Sequence, residues 1–401
     1  MNVLYIAPFA SAQYLEKHGE TEGFGLAGSI KIEMIATNLL RLGHRVLILS
    51  SFISSRSKFA FAQEVWETIP SAPGKIQVCY PAHVRLRPFG GALNCVLAPR
   101  VLGRVLRRFE ADCAIIYNSY VFEARCAGSL SRKFGTPFLM EIEDLPLTRR
   151  RGILNIKPRL DELCWRRTIR LASGFTAINA AVAKKLPVDA PHFLLPGIID
   201  KRLIALSENR SAPFGRTEKI LGYFGGLSAE KGADVLGELV ALLPDGWKMV
   251  VTGSGPLAPE LHRLSEKTPN KIRFFGKVAA EFVYALMCDC DCLLIPNEKS
   301  TDSGSGIFPF KALEFIVSGA HIIAPSLAAI GGIDCGFLQR WKTLKIDELV
   351  SLINGSQSAY LMESEIRAKT IEQVVENYSE SAVRLKLGDM LQKIYEKRGA
   401  R

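Results

Sequence analysis

The chain has 401 residues, of which 48% are hydrophobic and 23% charged, a globular composition that excludes a largely disordered protein and is long enough for two ordinary domains. The net charge of +11 indicates an acidic surface or an anionic substrate as partner. No apolar run reaches the roughly 18 residues that a membrane-spanning helix needs. The start, Met1–Phe9, is typical of a first strand rather than a signal peptide, so we expect a cytoplasmic protein.

Short apolar runs alternate with helical patterns, which predicts parallel α/β units. In the first half the predicted strands are Val3–Pro8, Val46–Ser50, Ile76–Tyr80, Ala114–Tyr117, Phe138–Ile142, Phe175–Ile178 and Phe193–Leu195. The predicted helices of that half are Ser29–Leu42, Pro99–Phe109, Glu123–Phe134 and Pro158–Leu171.

The hydrophobic pattern lapses around residues 197–219 and then resumes. The second-half strands are predicted at Ile220–Phe224, Lys248–Thr252, Ile272–Phe275, Cys292–Pro296 and His321–Ala324. The helices between them are predicted at Asp234–Leu243, Pro256–Lys267, Ala279–Cys288 and Pro309–Ser318, with a mostly helical tail over Glu363–Arg398. These patterns predict two doubly wound, Rossmann-like domains that bind ligands beyond the strand carboxyl ends, in the cleft between them.

We therefore divide the chain at its lapse in hydrophobicity. The N-terminal domain is expected at residues 1–200, a linker at 201–219 and the C-terminal domain at 220–370. Residues 371–401 are expected to form a C-terminal helix that packs back toward the N-terminal domain.

The nine cysteines are odd in number and scattered, which favours a reducing compartment over a disulfide framework. Cys288, Cys290 and Cys292 alternate as metal ligands on a strand would, but no nearby histidine or fourth cysteine completes a zinc site. We predict that they are buried structural cysteines, and we expect no metal.

A glycine-rich loop at Gly23–Gly28 precedes the first long helix, and it fits G-x-G-x-x-G. Its glycines, Gly25 and Gly28 among them, permit a close approach of backbone to ligand. A long segment separates the loop from the first strand, and Ser50 and Ser51 stand where an acidic residue would follow the second strand. The pattern therefore disfavours a dinucleotide site.

Glycines also follow the strands of the second half. In Gly225–Gly232 a glycine loop that includes Gly226 leads to Lys231, which could neutralise a diphosphate; the alternative is a plain turn with an exposed lysine. Gly253 and Gly276 end the next two strands, where a flat base or a ribose can slide past the backbone.

The segment Ser303–Glu314 is a small-residue loop that runs into a helix, with Pro309 suited to the first turn. Unpaired N–H groups and the helix dipole make an anion site there. Lys311 and Glu314 share one helix face, so a phosphate and a sugar hydroxyl would each find a partner. The segment thus offers two halves of a nucleotide-sugar site.

Clustered acids follow a strand of the first half at Glu141, Glu143 and Asp144. At a strand end they would bind acceptor hydroxyls or accept a proton; the alternative is a set of capping and ion-paired acids near Arg149–Arg151. Tyr117 and Asn118, after another strand, are further acceptor-site candidates.

Two stretches hold much of the positive charge. The first carries Arg100, Arg104, Arg107 and Arg108, and the second extends over Arg149–Arg170. Each would meet a membrane, a nucleic acid or a phosphorylated substrate, or form a solvated helix face. No nucleic-acid motif accompanies them, so peripheral membrane contact ranks above nucleic acid, which is not an expected partner.

Taken together in order, the second-half motifs resemble those of glycosyltransferase family 4, enzymes of the GT-B fold. The resemblance runs through Gly225–Gly232, Gly253–Pro256, Phe274–Val278, Leu293–Pro296, Pro309–Glu314 and Gly319–Ile323. The first half is more weakly similar, in its first strand, its glycine loop, the Leu42–Val46 turn with His44 as a structural residue, and Pro196–Asp200 at the linker.

The resemblance implies a metal-independent, retaining transferase that uses a nucleotide diphosphate sugar. By it, Lys231 would hold the diphosphate, Gly306, Ile307 and Phe308 would supply N–H groups, and Glu314 would accept hydrogen bonds from the ribose. Lys277 and Val278 would border the base, and the loop glycines Gly25, Gly28, Gly226 and Gly253 would also contact the donor. Acceptor contacts would come from Tyr117, Asn118 and Glu141, and catalytic ones from Glu143 and Asp144.

The chain departs from the family at three positions. Gly226 stands where many members have arginine, and Gly306 where many have the glutamate that meets the donor sugar; Lys311 would then serve the phosphates, while Asp302 or Glu298 are alternatives for reaching the sugar. Glu143 replaces the histidine of an E-x-H-D motif.

The leading hypothesis is a retaining glycosyltransferase that acts on a glycan or lipid-linked acceptor, in cell-surface polysaccharide or glycoconjugate synthesis, at the inner face of the cell membrane. A nucleotide-sugar epimerase or phosphorylase of the same fold and a non-catalytic nucleotide-sugar-binding member are the alternatives.

Overall fold

The computed structural model describes residues 1–18, 26–52, 61–84, 90–145, 156–210, 214–296, 311–325 and 338–399. Contacts divide the chain into two units. The first comprises Met1–Leu195 and Val383–Arg401, and the second comprises Pro196–Ala382.

The first unit alternates strands and helices. Its elements are β1 (Asn2–Ala7), α1 (Ala12–Lys17), α2 (Leu26–Arg41), β2 (Arg45–Ser50), β3 (Phe61–Ala62), β4 (Val65–Ser71), β5 (Gly74–Tyr80), β6 (His83–Val84), α3 (Gly90–Arg108), β7 (Cys113–Tyr117), α4 (Val121–Ser129) with a π-helical turn (Leu130–Phe134), β8 (Phe138–Ile142), α5 (Ile156–Ile169), β9 (Gly174–Ala177), α6 (Ala180–Ala183) and β10 (His192–Leu194).

The second unit continues the alternation. Its elements are α7 (Lys201–Glu208), β11 (Lys219–Phe224), two short 3₁₀ turns (Ala229–Lys231 and Ala233–Val235), α8 (Leu236–Leu242), β12 (Trp247–Thr252), α9 (Ala258–Lys267), β13 (Ile272–Phe274), α10 (Ala280–Asp289), β14 (Cys292–Leu294), α11 (Lys311–Ser318), β15 (His321–Ala324), β16 (Gln339–Arg340), α12 (Ile346–Met362), α13 (Ser364–Tyr378) and α14 (Glu380–Gly399), whose residues from Val383 onward belong to the first unit.

The first unit is built on an eight-stranded sheet in the order β10-β9-β8-β7-β1-β2-β5-β4. Its pairings are parallel except for edge strand β4, which runs antiparallel to β5. Val3–Ala7 of β1 are fully buried, because helices cover both faces of a parallel sheet. The strand order reverses between β1 and β7, and the carboxyl ends of strands at such a point form a natural ligand crevice.

The second unit is built on a six-stranded parallel sheet in the order β13-β12-β11-β14-β15-β16. Its core joins Leu221, Met249 and Val251 of the central strands to Leu236 and Leu239 of α8. The order reverses between β11 and β14, so the loops after these strands occupy the ligand-binding edge.

The predicted α/β fold class is confirmed, and the predicted strands coincide with strands of the two sheets to within a few residues. Cys288, Cys290 and Cys292 are free and buried, as predicted. Residues 309 and 310, predicted to start a helix, lie outside the described residues; α11 is described from Lys311.

Some helix boundaries were predicted wrongly. Helix α3 begins nine residues before the predicted start at Pro99, which lies inside it. Proline removes a helical hydrogen bond, but the flanking Ala98, Val101 and Leu102 are buried, and their packing supports the helix. Helix α12 already begins at Ile346, ahead of the predicted helical tail.

The chain around the predicted linker is partly helical. Helix α7 occupies its first residues, and the Asp200 side chain caps it by accepting a hydrogen bond from the Arg202 N–H. The antiparallel β4–β5 pairing and the short helices α1 and α6 had no strong sequence signal.

Candidate active site

Asn118 organises the carboxyl edge of the first sheet. It adopts a left-handed backbone conformation with φ of 52°, and its N–H donates a 2.6 Å hydrogen bond to the Glu141 carbonyl. Its side-chain Oδ1 accepts hydrogen bonds from the N–H groups of Glu143 (2.8 Å) and Asp144 (3.1 Å). Asn118 therefore fixes the turn that presents both acidic side chains, although it was predicted only as an acceptor contact.

A lysine that the sequence interpretation missed completes this cluster. Lys31 of α2 is buried, and its ammonium group donates hydrogen bonds to the Glu143 carboxylate and to the Leu195 carbonyl (2.7 Å). It also lies 3.5 Å from Oε1 of Glu141. Lys31 precedes buried Ile35 by one helical turn, and a lysine on an apolar helix face was the available signal. The described ion-pair partner of Glu143 is thus Lys31; Arg149–Arg151, the partners considered from the sequence, lie outside the described residues.

Tyrosines and a glycine surround the carboxylates. The Tyr5 hydroxyl donates to Glu141, and Tyr117 stands opposite Glu141 in the β7–β8 register. A Cβ added to Gly28 would lie 3.6 Å from the Tyr117 hydroxyl oxygen. Gly28, predicted to bind the donor, therefore lies beside the predicted acceptor residues of the first unit.

The buried carboxyl group of Glu143 titrates near neutral pH. Burial raises its pKa to about 8, Lys31 opposes this rise, and Glu141 adds to it. Burial and the same two carboxylates also raise the pKa of the Tyr117 hydroxyl. A carboxyl group whose pKa lies near the working pH is suited to exchange a proton with a substrate hydroxyl. Asp144 is exposed beside it.

Three buried polar atoms of the cluster have no hydrogen-bond partner among the described residues: Nδ2 of Asn118, the Ser119 hydroxyl and Oε1 of Glu141. Buried polar atoms are normally satisfied by protein, water or ligand. This edge is therefore equipped to bind a group rich in hydroxyls.

In the second unit, a glycine loop follows β11 and packs on the loop after β12. The N–H groups of Gly225 and Leu227 donate to the carbonyls of Thr252 (3.1 Å) and Ser254 (2.9 Å). Gly253 has a φ of 141°, and a Cβ there would lie 1.8 Å from the Gly225 carbonyl oxygen. Only glycine fits at this crossing.

Lys231 extends from the same loop. It ends a 3₁₀ turn at Gly232, whose φ is 75°, and a Cβ on Gly232 would lie 2.5 Å from the Pro296 carbonyl oxygen after β14. The Lys231 side chain is exposed, and its Cγ would be 3.5 Å from a Cβ on Gly226.

Lys311, the first described residue of α11, lies beside the start of the glycine loop that follows β11. Its Cε would be 3.9 Å from a Cβ on Gly225. Burial lowers the Lys311 pKa, and Glu314 opposes that effect. Lys311 is half-buried, and among the described residues none forms an ion pair with it, so its charge is suited to an anionic ligand.

Glu314 follows Lys311 by one turn and is buried. Burial raises its pKa, while Lys311 and a hydrogen bond from the Tyr284 hydroxyl oppose the rise. The carboxyl group thus stands close to the lysine that flanks the glycine loop.

Lys277 and Val278 follow β13 and Gly276, whose carbonyl accepts a 2.8 Å hydrogen bond from the Gly253 N–H. Lys277 is exposed and Val278 is half-buried. Predicted donor residues of the second unit therefore lie on the loops after β11, β12 and β13 and on α11. Gly25, Gly306, Ile307 and Phe308, together with Asp302 and Glu298, lie outside the described residues.

Comparison with known proteins gives a family match for part of the second unit and structural matches for nearly the whole chain. Residues 207–327 match the family described as glycosyl transferases group 1. No curated protein sequence matches the chain. Among solved structures, sucrose-phosphate synthase from Thermosynechococcus elongatus is similar at 13% identity and a TM-score of 0.64, covering 99% of this chain and 100% of that one.

Two further structures show the same likeness. Anabaena HepE in complex with UDP has 14% identity and a TM-score of 0.63, over 98% of this chain and 100% of that one. WaaG, a glycosyltransferase involved in lipopolysaccharide biosynthesis, has 14% identity and a TM-score of 0.55, over 94% of this chain and 95% of that one. The fold is therefore of the GT-B class. Residues 207–327 carry the match to the glycosyl transferases group 1 family, and the chain is a protein of the glycosyltransferase type.

Proposed function

We propose that this glycosyltransferase transfers a sugar, with retention of anomeric configuration, from a nucleotide diphosphate sugar to a hydroxyl group of a glycan or lipid-linked acceptor. The setting we propose is cell-surface polysaccharide or glycoconjugate synthesis at the inner face of the cell membrane.

The observation that carries the donor proposal is the ammonium group of Lys311, which is half-buried beside Gly225 and has no ion-pair partner among the described residues. A buried charge is costly unless it meets an opposite one, and a diphosphate would supply that charge. Lysine and backbone dipoles then stabilise the negative charge that develops on the leaving nucleotide. Lys231 reaches the same loop, and a related structure, Anabaena HepE, is described in complex with UDP.

The remaining donor roles follow from the second unit. We assign the ribose to Glu314 and the edge of the base to Lys277 and Val278. Gly226 and Gly253 allow the nucleotide to lie close to the backbone because neither carries a side chain.

The acceptor proposal rests on the cluster of the first unit. We assign acceptor binding to Tyr117, Asn118 and Glu141, and proton exchange with the attacking hydroxyl to Glu143 and Asp144. The buried Ser119 hydroxyl and Oε1 of Glu141 lack hydrogen-bond partners among the described residues, which supports a polar acceptor.

Calorimetric titration with UDP, GDP and ADP tests the donor proposal. We expect one of them to bind the folded protein and Lys311→Met to weaken that binding at least tenfold, the effect of losing one charge-assisted hydrogen bond of about 1.5–3 kcal/mol. Lys267→Met, which removes an exposed lysine of α9, is the matched control. Absence of binding by all three nucleotides in a folded sample would reject the proposal.

A second assay follows the products. Incubation of the preferred nucleotide sugar with an acceptor panel should release the nucleoside diphosphate and yield a glycoside of unchanged anomeric configuration. Conversion of the donor to an isomeric sugar nucleotide without an acceptor would instead indicate an epimerase. Binding without any turnover would indicate a non-catalytic member.

A further inference from the structure

Three helices of the first unit form one outer layer, because α4 packs against both α3 and α5. Each of the three precedes a parallel strand of the sheet, namely β7, β8 and β9. Helices that connect parallel strands run opposite to them, so all three begin near the carboxyl edge of the sheet. We call the solvent side of this layer the basic helix face.

Basic side chains dominate the exposed charge of the basic helix face. The exposed charged side chains described on α3, α4 with its π-helical turn, α5 and the residue after α5 are all basic: Arg100, Arg104, Arg107, Arg108, Arg125, Arg132, Lys133, Arg159, Arg166, Arg167 and Arg170. Glu123 of α4 is buried, and Asp161 and Glu162 of α5 are half-buried. The face therefore presents a wide positive surface.

Acidic side chains offset only part of this charge. Glu64 lies 3.4 Å from Arg104 and 3.6 Å from Arg108, and Glu162 lies 2.6 Å from Arg166. Ion pairs on exposed surfaces are weak, so these arginines remain able to bind external anions.

Apolar side chains are exposed on the same face. Leu93 and Val96 in the first half of α3 are 45% and 56% exposed, and Leu160 and Leu163 in the first half of α5 are 44% and 43% exposed. On α3, Leu93 and Arg100 are separated by two helical turns and share one side; on α5, Leu163 and Arg170 do the same. The apolar residues thus lie toward the carboxyl edge and most of the arginines lie behind them.

We propose that the basic helix face docks on an anionic lipid bilayer, with the exposed leucines and Val96 entering the headgroup region and the arginines binding lipid phosphates. Helices that lie in a membrane interface combine such an apolar side with a basic one. Single-stranded nucleic acid is the less suitable ligand, because its bases stack on aromatic side chains and the exposed apolar residues of α3 and α5 are aliphatic.

Docking in this way brings the carboxyl edge of the first sheet, which holds Glu141 and Glu143, toward the lipid. If the proposed function is right, the acceptor is then lipid-linked and presented from the bilayer. None of the helices in the described ranges is long and apolar enough to cross a membrane, and the proposed attachment is peripheral.

Vesicle co-sedimentation of the full chain tests the proposal. We expect binding to phosphatidylcholine–phosphatidylglycerol vesicles, weak binding to phosphatidylcholine alone, and release by added salt, which screens surface charge. Arg100→Glu with Arg107→Glu should lower the partition coefficient by at least about 25-fold, since each arginine near an anionic membrane contributes about fivefold. Leu93→Gln with Leu163→Gln should lower it without changing its salt dependence.

Matched controls lie in the second unit. Arg263→Glu with Lys267→Glu makes the same change of charge on exposed residues of α9, and Leu361→Gln with Met362→Gln removes exposed apolar groups at the end of α12. Both should leave vesicle binding unchanged. The proposal is overturned if the control variants reduce vesicle binding as much as the test variants do. It is also overturned if the protein does not bind anionic vesicles, or if it binds RNA in preference to them. Nucleotide titration of the same samples without vesicles tests the proposed function separately: a protein that binds a nucleotide but no anionic vesicles contradicts only the docking proposal.

Discussion

Lys31 donates a hydrogen bond to the carboxylate of Glu143, a residue 112 positions further along the chain. Both side chains are buried, and Glu141 lies 3.5 Å from the same ammonium group. One cation thus serves two carboxyl groups at the edge where the acceptor is proposed to bind. The balance between this one positive charge and the two carboxyl groups affects both the protonation of Glu143 and the stability of the first unit.

Replacing Lys31 by methionine should be strongly destabilising. At a pH well above the pKa of Glu143, where its carboxyl group is ionised, removing Lys31 leaves an uncompensated buried charge, which typically costs about 3–5 kcal/mol in the free energy of unfolding. Urea denaturation of Lys31→Met measures this cost. The double variant Lys31→Met/Glu143→Gln should recover much of the loss, because it removes both charges. A single variant as stable as the parent protein would show that the pair contributes nothing.

The pH dependence of stability should carry the signature of Glu143. Its pKa rises on folding from 4.5 to about 8, so the folded state binds the extra proton between these values. Stability from this group is fully present below pH 4.5 and is lost as the pH rises through 8, with a slope of at most about 1.4 kcal/mol per pH unit. Urea unfolding at several pH values measures the slope. Glu143→Gln should flatten it in this window, whereas an unchanged slope in that variant would assign the titration to another group.

Glu314 should discriminate ribose from deoxyribose. If its carboxylate accepts a hydrogen bond from a ribose hydroxyl, loss of that charge-assisted hydrogen bond costs about 1.5–3 kcal/mol of binding free energy. This corresponds to a roughly 10- to 150-fold increase in the dissociation constant. Titration of the parent protein with the preferred nucleotide and its 2′- and 3′-deoxy analogues measures this difference. The Glu314→Ala variant should bind all three with similar affinity. Discrimination that persists in the variant would place the ribose elsewhere.

Two glycines of the proposed donor site allow a matched comparison. Gly253→Ala places a Cβ 1.8 Å from the Gly225 carbonyl oxygen, whereas a Cβ on Gly276 meets nothing within 4 Å. Gly276→Ala should therefore cost only the left-handed backbone strain of about 1–2 kcal/mol, and Gly253→Ala should cost more and displace the glycine loop. Thermal unfolding and nucleotide titration of both variants test this. Equal effects would mean that the crossing at Gly253 tolerates a side chain.

Local patterns were sufficient to predict most of the fold. Buried strands such as β1 and β8 are short apolar runs, and the glycines after β11, β12 and β13 mark turns whose geometry depends on a few adjacent residues. The resemblance carried by these motifs predicted Lys231, Lys311 and Glu314 as donor-binding residues, and that remains a prediction. The beginning of α3 was mispredicted because proline at position 99 normally marks a helix start, and the burial of the residues around it outweighed that preference.

The pairing of charges depended on three-dimensional packing. In the sequence, Lys31 is one lysine in an amphipathic helix, and only the tertiary fold brings its ammonium group to Glu143. The sequence likewise marks Lys311 as a phosphate ligand without showing whether water surrounds it. A charge's energy depends on which atoms, brought from distant segments, exclude water from it. Residue patterns therefore predicted an α/β fold, and the order of the motifs carried the resemblance to glycosyltransferases, while the tertiary structure decided which charged groups are buried and what each of them faces.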